Sequence, residues 1–417
     1  MRSFVRIFLL MATVTILSGC GSGELLSEAS MSPATISPNA DGAADATLIH
    51  YELSRNATIS IQFVSADNRV YTFRRDQPRS AGQYDVLFGG VIDGQLLPDG
   101  TYTWTIEATD QAAQLRQPIQ GELTINGGEA EPPQITQMSV FPREFTPNRD
   151  GISDRATINV ALNKPATLFL TLQNVLCNGA VTPPLDQPNL DCAPYPLAEK
   201  EGAGRKPGEA GLHEFDYDAG VDLGAEPPPD GTYVITARAE DKVGQVVVAT
   251  DTLTIADGGV PRAEIVDGAV DFSKSSILVG DTLYFTLTVE NYGAVPIRTS
   301  GPQPGYVYTS TDLTFNWPRF AEESGVWRVA IGSEVMKTNY PFRWAVGGSA
   351  DLIVKEIDGQ KYYYLPPNTR AVITGGVTIT EIPQRNPVNF FAALIHEDVE
   401  IAAINQRVDP QPVLVLK

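Results

Sequence analysis

Histidine and cysteine are scarce in this chain of 417 residues, with three of each. There is no Cys-x-x-Cys and no His-x₃-His spacing, so no closed zinc site is legible. Positive charge is short too: 30 Lys and Arg stand against 50 Asp and Glu, a formal −20. That balance argues against nucleic acid as a partner and against electrostatic docking on anionic lipid. Beyond residue 20 no run approaches the ~18 apolar residues a membrane helix needs. Gly-x-Ser-x-Gly, a phosphate-cradling glycine loop and His-Glu-x-x-His are all missing, which removes the common signatures of hydrolases, nucleotide binders and metalloproteases. A glycosidase needs only two carboxylates, so an acidic chain leaves that class open on motifs alone.

What is present begins at the first residue. Arg2 and Arg6 give a basic start, Ile7 to Ile16 an apolar core, and Leu17-Ser18-Gly19-Cys20 a small-residue close. This order reads as a secretory signal too short to span a bilayer permanently. Its last four residues resemble the lipobox of bacterial lipoproteins. The resemblance implies acylation of Cys20 (palmitate or a similar chain), removal of residues 1–19, and attachment to a membrane by several acyl chains; the alternative is a plain signal peptide ending near a cysteine. Glycine after the cysteine implies the outer membrane in a two-membrane cell, or the external face otherwise. Residues 21–32 read as a flexible tether. With Cys20 lipidated, Cys177 and Cys192 remain, and an even pair in an oxidising compartment reads as a disulfide.

The mature chain repeats itself. Ser37-Pro38-Asn39-Ala40-Asp41-Gly42 returns as Thr146-Pro147-Asn148-Arg149-Asp150-Gly151 at an offset of 109, and Ala57-Thr58 as Ala166-Thr167. Pro98-Asp99-Gly100-Thr101-Tyr102 returns as Pro229-Asp230-Gly231-Thr232-Tyr233 at an offset of 131, so the second copy holds about 22 extra residues around its two cysteines. Ile59, Ile61 and Phe63, and then Tyr102, Trp104 and Ile106, alternate at period two; Leu168, Leu170 and Leu172, then Tyr233, Ile235 and Ala237, do the same in the second copy. Such runs between Asp-Gly turns predict β-sandwiches.

The Ser/Thr-Pro-Asn-x-Asp-Gly start, the Pro-Asp-Gly-Thr-Tyr turn and the Ala-Thr-Asp or Ala-Glu-Asp close resemble the flagellar hook-capping (FlgD-type) immunoglobulin-like domain. It implies stalk or terminal modules of bacterial extracellular proteins over residues 33–126 and 134–257. The family's usual Trp-Asp-Gly is Phe88-Gly89-Gly90 and Tyr217-Asp218-Ala219 here. Asn39, Asp41 and Asp45, and their counterparts Asn148, Asp150 and Asp154, place three oxygen side chains around a glycine. That pattern reads either as a structural Ca²⁺ site or as a plain turn with self-bonded Asx side chains; no other cofactor is expected.

Residues 260–417 depart from the repeat. Leu283, Phe285, Leu287 and Val289 alternate in a strand that resembles those opening many extracellular immunoglobulin-like modules, and 326–331, 341–346, 371–379, 389–395 and 413–416 predict further strands. The expected fold class is therefore all-β, tandem immunoglobulin-like sandwiches. Trp317, Arg319, Trp327, Tyr340, Phe342, Arg343 and Trp344 crowd aromatics with arginines, which reads either as core or as a face for glycan or protein. His396-Glu397-Asp398 is the one histidine flanked by acids, and it lacks the accompanying ligands of a metal centre. The expected role is a non-enzymatic surface lipoprotein that contacts wall polymer, glycan or a surface protein. An accessory subunit of a larger secreted or membrane machine is the alternative, and a hydrolase the third reading.

Overall fold

The computed structural model describes residues 24–110, 112, 114–200, 206–312 and 323–417. The expected signal segment with Cys20, and Trp317 and Arg319, lie outside the described residues. No described helix is long and apolar enough to cross a membrane. Within the described residues the chain forms strands joined by turns and four 3-10 turns, with no α-helix. Three β-sandwiches follow one another, which agrees with the all-β immunoglobulin-like expectation.

The first two sandwiches share one plan. In the first, strands Leu26–Ser32, Thr47–Leu53 and Gly82–Phe88 make a three-stranded sheet, packed on a five-stranded sheet ordered Thr35–Ile36, Leu115–Ile125, Gly100–Asp110, Ala57–Ser65, Val70–Arg79. In the second, Ile135–Phe141, Ala156–Leu162 and Gly211–Tyr217 face Glu144–Phe145, Val246–Ile255, Gly231–Glu240, Thr167–Asn174 and Tyr195–Leu197 in the same order. The alternation puts Ile59, Ile61, Phe63, Tyr102, Trp104 and Ile106 into one core and Leu170, Leu172, Tyr233, Ile235 and Ala237 into the other, with Leu168 half-buried. Each fully buried Ile or Phe contributes about 1.5–3 kcal/mol.

The tether expected at 21–32 is corrected in its described part. Leu25 and Leu26 are fully buried, and Leu26–Ser32 pairs antiparallel with Thr47–Leu53. Gln117 fastens this start by accepting from the Leu25 amide at 2.8 Å and donating to the Leu26 carbonyl. Two adjacent leucines outweigh the polar residues around them, because burying their surface rewards pairing on the sheet edge. The counterpart in the second sandwich, Ile135–Phe141, stands at the repeat's own offset.

The motifs that recur are structural pins. Tyr102 donates its hydroxyl proton to the Pro98 carbonyl at 2.6 Å, and Tyr233 to Pro229 at 2.7 Å. This is the tyrosine corner of immunoglobulin-like sandwiches. Asp99 accepts from the Gly127 and Gly128 amides, and Asp230 from those of Asp257 and Gly258, fixing the chain where it leaves each sandwich. Where the hook-capping resemblance expects tryptophan, Phe88 stacks on Phe63, and Tyr217 leans on Phe145.

The second copy's extra residues form the disulfide loop. Cys177 and Cys192 are bonded and buried, and Gln173 donates to the carbonyls of Ala180 and Cys192. The loop delivers Tyr195–Leu197 as edge strand in place of the ten-residue Val70–Arg79. Opening this 15-residue link, by Cys177→Ser with Cys192→Ser, should lower stability by about 3 kcal/mol. Chemical denaturation of the two chains compares them directly; an unchanged midpoint would mean that the unfolded chain is not constrained by the link.

The third sandwich sets Ala263–Ile265, Thr282–Asn291, Thr369–Thr378 and Val307–Thr309 against a larger sheet ordered Ser276–Leu278, Val408–Leu416, Val388–His396, Trp327–Ser333, Ile297–Thr299, Gln360–Leu365, Ile353–Ile357. By contacts the chain falls into two compact units. One holds residues to Pro133 with Glu240–Val247, and the other holds Gln134–Ala239 with Val248–Lys417. The second and third sandwiches thus count as one body.

Candidate functional site

Both Asn-x-Asp-Gly segments fold into the same turn. Left-handed backbone recurs at Ala40, Gly42 and Ala44 and at Arg149, Gly151 and Ser153. The three side-chain oxygen donors are spent on amides. Asn39 Oδ1 accepts from Asp41 and Asp41 Oδ1 from Ala43, while Asp45 accepts from Asn39, Ala40 and Gly42. The second copy repeats this with Asn148, Asp150 and Asp154. This is the self-bonded Asx turn. Among the described residues no group of three or more His, Cys, Asp or Glu has the geometry to hold a metal ion.

The two turns differ in what surrounds them. Residues 40–44 are exposed, whereas Asn148 and Asp150 are buried because the turn enters the third sandwich. Asp150 Oδ2 accepts from the Tyr364 hydroxyl at 2.9 Å. The Arg149 carbonyl lies 2.8 Å from His396 Nε2, so that nitrogen carries the proton and donates. His396 is itself stacked on Trp327, with ring centroids 4.4 Å apart. Gly151 passes so close to Ser324 that a β-carbon would stand 2.0 Å from its carbonyl oxygen, and a β-carbon on Gly325 would stand 2.1 Å from the Asp150 carbonyl carbon. The Ser324 carbonyl also accepts from Arg298 Nη2 at 2.5 Å. Lys355 to Asp257 and Arg262 to Glu226 flank the joint as exposed ion pairs.

Behind the socket lies a buried charge cluster. Glu397 accepts from Arg328 Nη1 at 3.1 Å and from Arg343 Nη1 at 2.7 Å on both oxygens. Arg328 donates further to the Ser300 carbonyl and hydroxyl, and Arg343 to the Tyr340 and Asn339 carbonyls. The Gly325 amide donates to the Glu397 carbonyl, tying the cluster to the socket wall. His396 thus fastens the turn, and Glu397 anchors the wall of its socket. Asp398 is exposed and takes no part.

The aromatic stretch is corrected in its described part: Trp327, Tyr340, Phe342, Arg343 and Trp344 are buried and present no recognition face. Trp344 is 0 % exposed, packs edge-on against Phe285 and Tyr308, and donates its indole N–H to the Tyr306 carbonyl. Phe342 joins the same core, Tyr340 packs on Phe391, and Arg343 is neutralised by Glu397. Strand alternation sends Phe342 and Trp344 into the main core, while Arg343 on the opposite face is covered by Glu397 and the Tyr340 carbonyl.

Burial sets the electrostatics of the joint. Asp154 is pushed up to about 6, first by desolvation and then by the neighbouring Asp150, while its amide bonds pull the other way. At Asp45, slight desolvation is outweighed by amide bonds from Asn39, Gly42, Ala40 and Asp41, and the carboxyl sits below its usual range. Burial drives His396 down to about 4, so it is neutral at pH 7. A carbon-detected NMR titration should find Asp154 titrating near 6 and Asp45 below 3.8; equal values would mean that the second turn is not buried. Because the folded value of Asp154 is raised, its contribution is complete below about pH 3.8 and is lost as pH rises through about 6. His396 has the opposite sign: its contribution is complete above about pH 6.5 and is lost as pH falls to about 4.

Sequence reasoning missed Tyr364, Ser324, Gly325 and Arg298. Nothing in the repeat separates a docked turn from a free one, apart from arginine at 149 where the first copy has alanine at 40.

No family model and no curated protein matches the chain. Among solved structures, E. coli alpha-2-macroglobulin in its native conformation is similar over 93 % of this chain at 12 % identity and a TM-score of 0.19. A Salmonella alpha-2-macroglobulin mutant is similar over 94 % at 12 % identity and a TM-score of 0.21. The chain spans 23 % of the length of each. A tetra-tandem repeat from the extending region of a large adhesion protein is similar over 86 % of this chain and 80 % of its own, at 10 % identity and a TM-score of 0.18. Likenesses at scores this low carry no argument about activity.

Proposed function

We propose that this protein is a non-enzymatic, extracytoplasmic lipoprotein that works as an envelope scaffold. Cys20 carries the lipid, two hook-capping-type sandwiches follow it, and the second is welded to a third sandwich that makes the outward contact. The observation that carries this reading is the buried joint. The side chains best equipped for chemistry, His396, Glu397, Asp150 and Tyr364, are hydrogen-bonded to one another's sandwich or to buried arginines. They hold two sandwiches in one body, which suits a part that transmits position or load. The buried disulfide supports an oxidising compartment. The outward partner is wall polymer, glycan or a surface protein, met through surfaces other than the aromatic stretch at 327–344.

Two strains test the proposal. Cys20→Ser should move the protein from the membrane fraction to the soluble one. Gly151→Ala, with the anchor intact, should reproduce the envelope defect of a deletion strain. A Gly151→Ala strain that keeps a normal envelope, while the deletion strain does not, would sink the scaffold reading, as would hydrolysis of wall polymer by the purified chain.

A further inference from the structure

The first sandwich carries a feature that the scaffold role does not use. Val70–Arg79 is the outer strand of its five-stranded sheet and, among the described residues, pairs only with Ala57–Ser65. A cleft of about 550 Å³ runs along its first half, between Arg69, Tyr71 and Arg75 on the strand side and Asp93, Gln95 and Pro98 opposite. That volume lies in the range of ligand sites. One wall of the cleft is therefore a sheet edge, which offers backbone donors and acceptors at a spacing only another extended chain matches.

The charge of this edge is unlike the rest of the molecule. Four of the chain's 30 basic residues, Arg69, Arg74, Arg75 and Arg79, fall within eleven positions of a protein whose formal charge is −20. Three of them are held: Arg69 by Asp67 at 2.9 Å, Arg74 by Gln77 and the Phe73 ring, Arg79 by Gln77 and the Tyr84 ring. Arg75 lines the cleft and, among the described residues, has no ion-pair or hydrogen-bond partner. Arg69 and Arg75 stand six residues apart, roughly 20 Å along a strand. The guards against further pairing that natural edges carry concentrate in the far half, where Asp76 is left-handed and Pro78 lacks a donor; the near half carries one register shift, between Thr72 and Arg74.

We propose that this cleft binds an acidic, extended peptide segment of a partner protein, which adds a strand beside Val70–Arg75. Backbone pairing holds the segment, and Arg75 selects a carboxylate on it. The neighbouring Asp93 sets the limit of the basic rim and disfavours a carboxylate at that point.

The test uses the lipid-free chain from Gly23 to Lys417 and a dye-labelled, end-blocked six-residue peptide alternating glutamate and valine, with the lysine–valine peptide and a sulfated oligosaccharide as comparisons. Fluorescence anisotropy should show saturable binding of the glutamate peptide alone, weakened about tenfold by Arg75→Gln and further by salt. Amide exchange should slow at residues 70–75 when the peptide is bound. Arg75 is exposed, so its replacement leaves the fold intact, which circular dichroism verifies. Binding of the sulfated sugar in preference to the peptide overturns the proposal, as does peptide binding that ignores Arg75→Gln or leaves exchange at 70–75 unchanged, and so does the absence of binding at millimolar peptide.

Discussion

Replacing Gly151 by alanine is expected to break the unit formed by the second and third sandwiches, while the same replacement at Gly42 is nearly tolerated. Both glycines sit at the same place in the same turn, with φ of +80° and +88°. Each substitution therefore incurs the same left-handed strain, about 1–2 kcal/mol. The surroundings differ. A β-carbon on Gly42 meets nothing within 4 Å, whereas on Gly151 it would overlap the Ser324 carbonyl oxygen at 2.0 Å. Backbone cannot yield that distance, so the turn must withdraw. Withdrawal strands the Tyr364 hydroxyl and the His396 N–H, each at roughly 1–3 kcal/mol if left buried and unpaired. Scanning calorimetry should show a modest loss for Gly42→Ala and, for Gly151→Ala, division of one transition into two. Gly325→Ala, approaching from the other wall, should act alike. Equal effects at Gly42 and Gly151 would show that the turn is not clamped.

Glu397→Gln should be the most damaging single change in the third sandwich. Glu397 is 3 % exposed and neutralises two guanidinium groups, Arg328 and Arg343. Removing its charge takes the buried anion from both cations and leaves Arg328 facing the exposed Glu323 at 3.9 Å, a loss of about 3–5 kcal/mol. For a unit of this size that corresponds to a fall in Tm on the order of 10 °C. Glutamine keeps the volume, so packing alone cannot account for such a drop. Replacing Glu397, Arg328 and Arg343 together by leucine and methionine should recover much of the loss, since a buried ion cluster can often be exchanged for apolar groups without net cost. A Glu397→Gln chain with unchanged Tm would mean that water reaches the cluster.

The strands were legible because their cause is local. Alternation in Thr101 to Ala108 or in Leu283 to Val289 states which side is apolar, and the structure buries those residues. The turns were legible as well, since aspartate, glycine and tyrosine act on backbone groups a few residues away. The start of the first sandwich was misread as tether because Leu25-Leu26 is a short signal among polar neighbours, although its counterpart at Ile135 marks the same strand. In the aromatic stretch apolar and arginine positions alternate, and alternation cannot say whether the arginine face meets solvent or a buried carboxylate.

The sequence by itself determined the all-β class, the duplicated sandwich and the disulfide pair. All of these depend on residues near one another in the chain or on a pattern the chain repeats. Only the tertiary structure decided that one Asn-x-Asp-Gly turn is free and its copy buried, that His396 and Glu397 belong to a joint, and that Val70–Arg75 borders an open cleft. Those outcomes depend on which surfaces meet across 200 or more residues, as Asp150 meets Tyr364. A turn carries the same local hydrogen bonds whether or not a socket exists to receive it, so nothing in its own residues could report the difference.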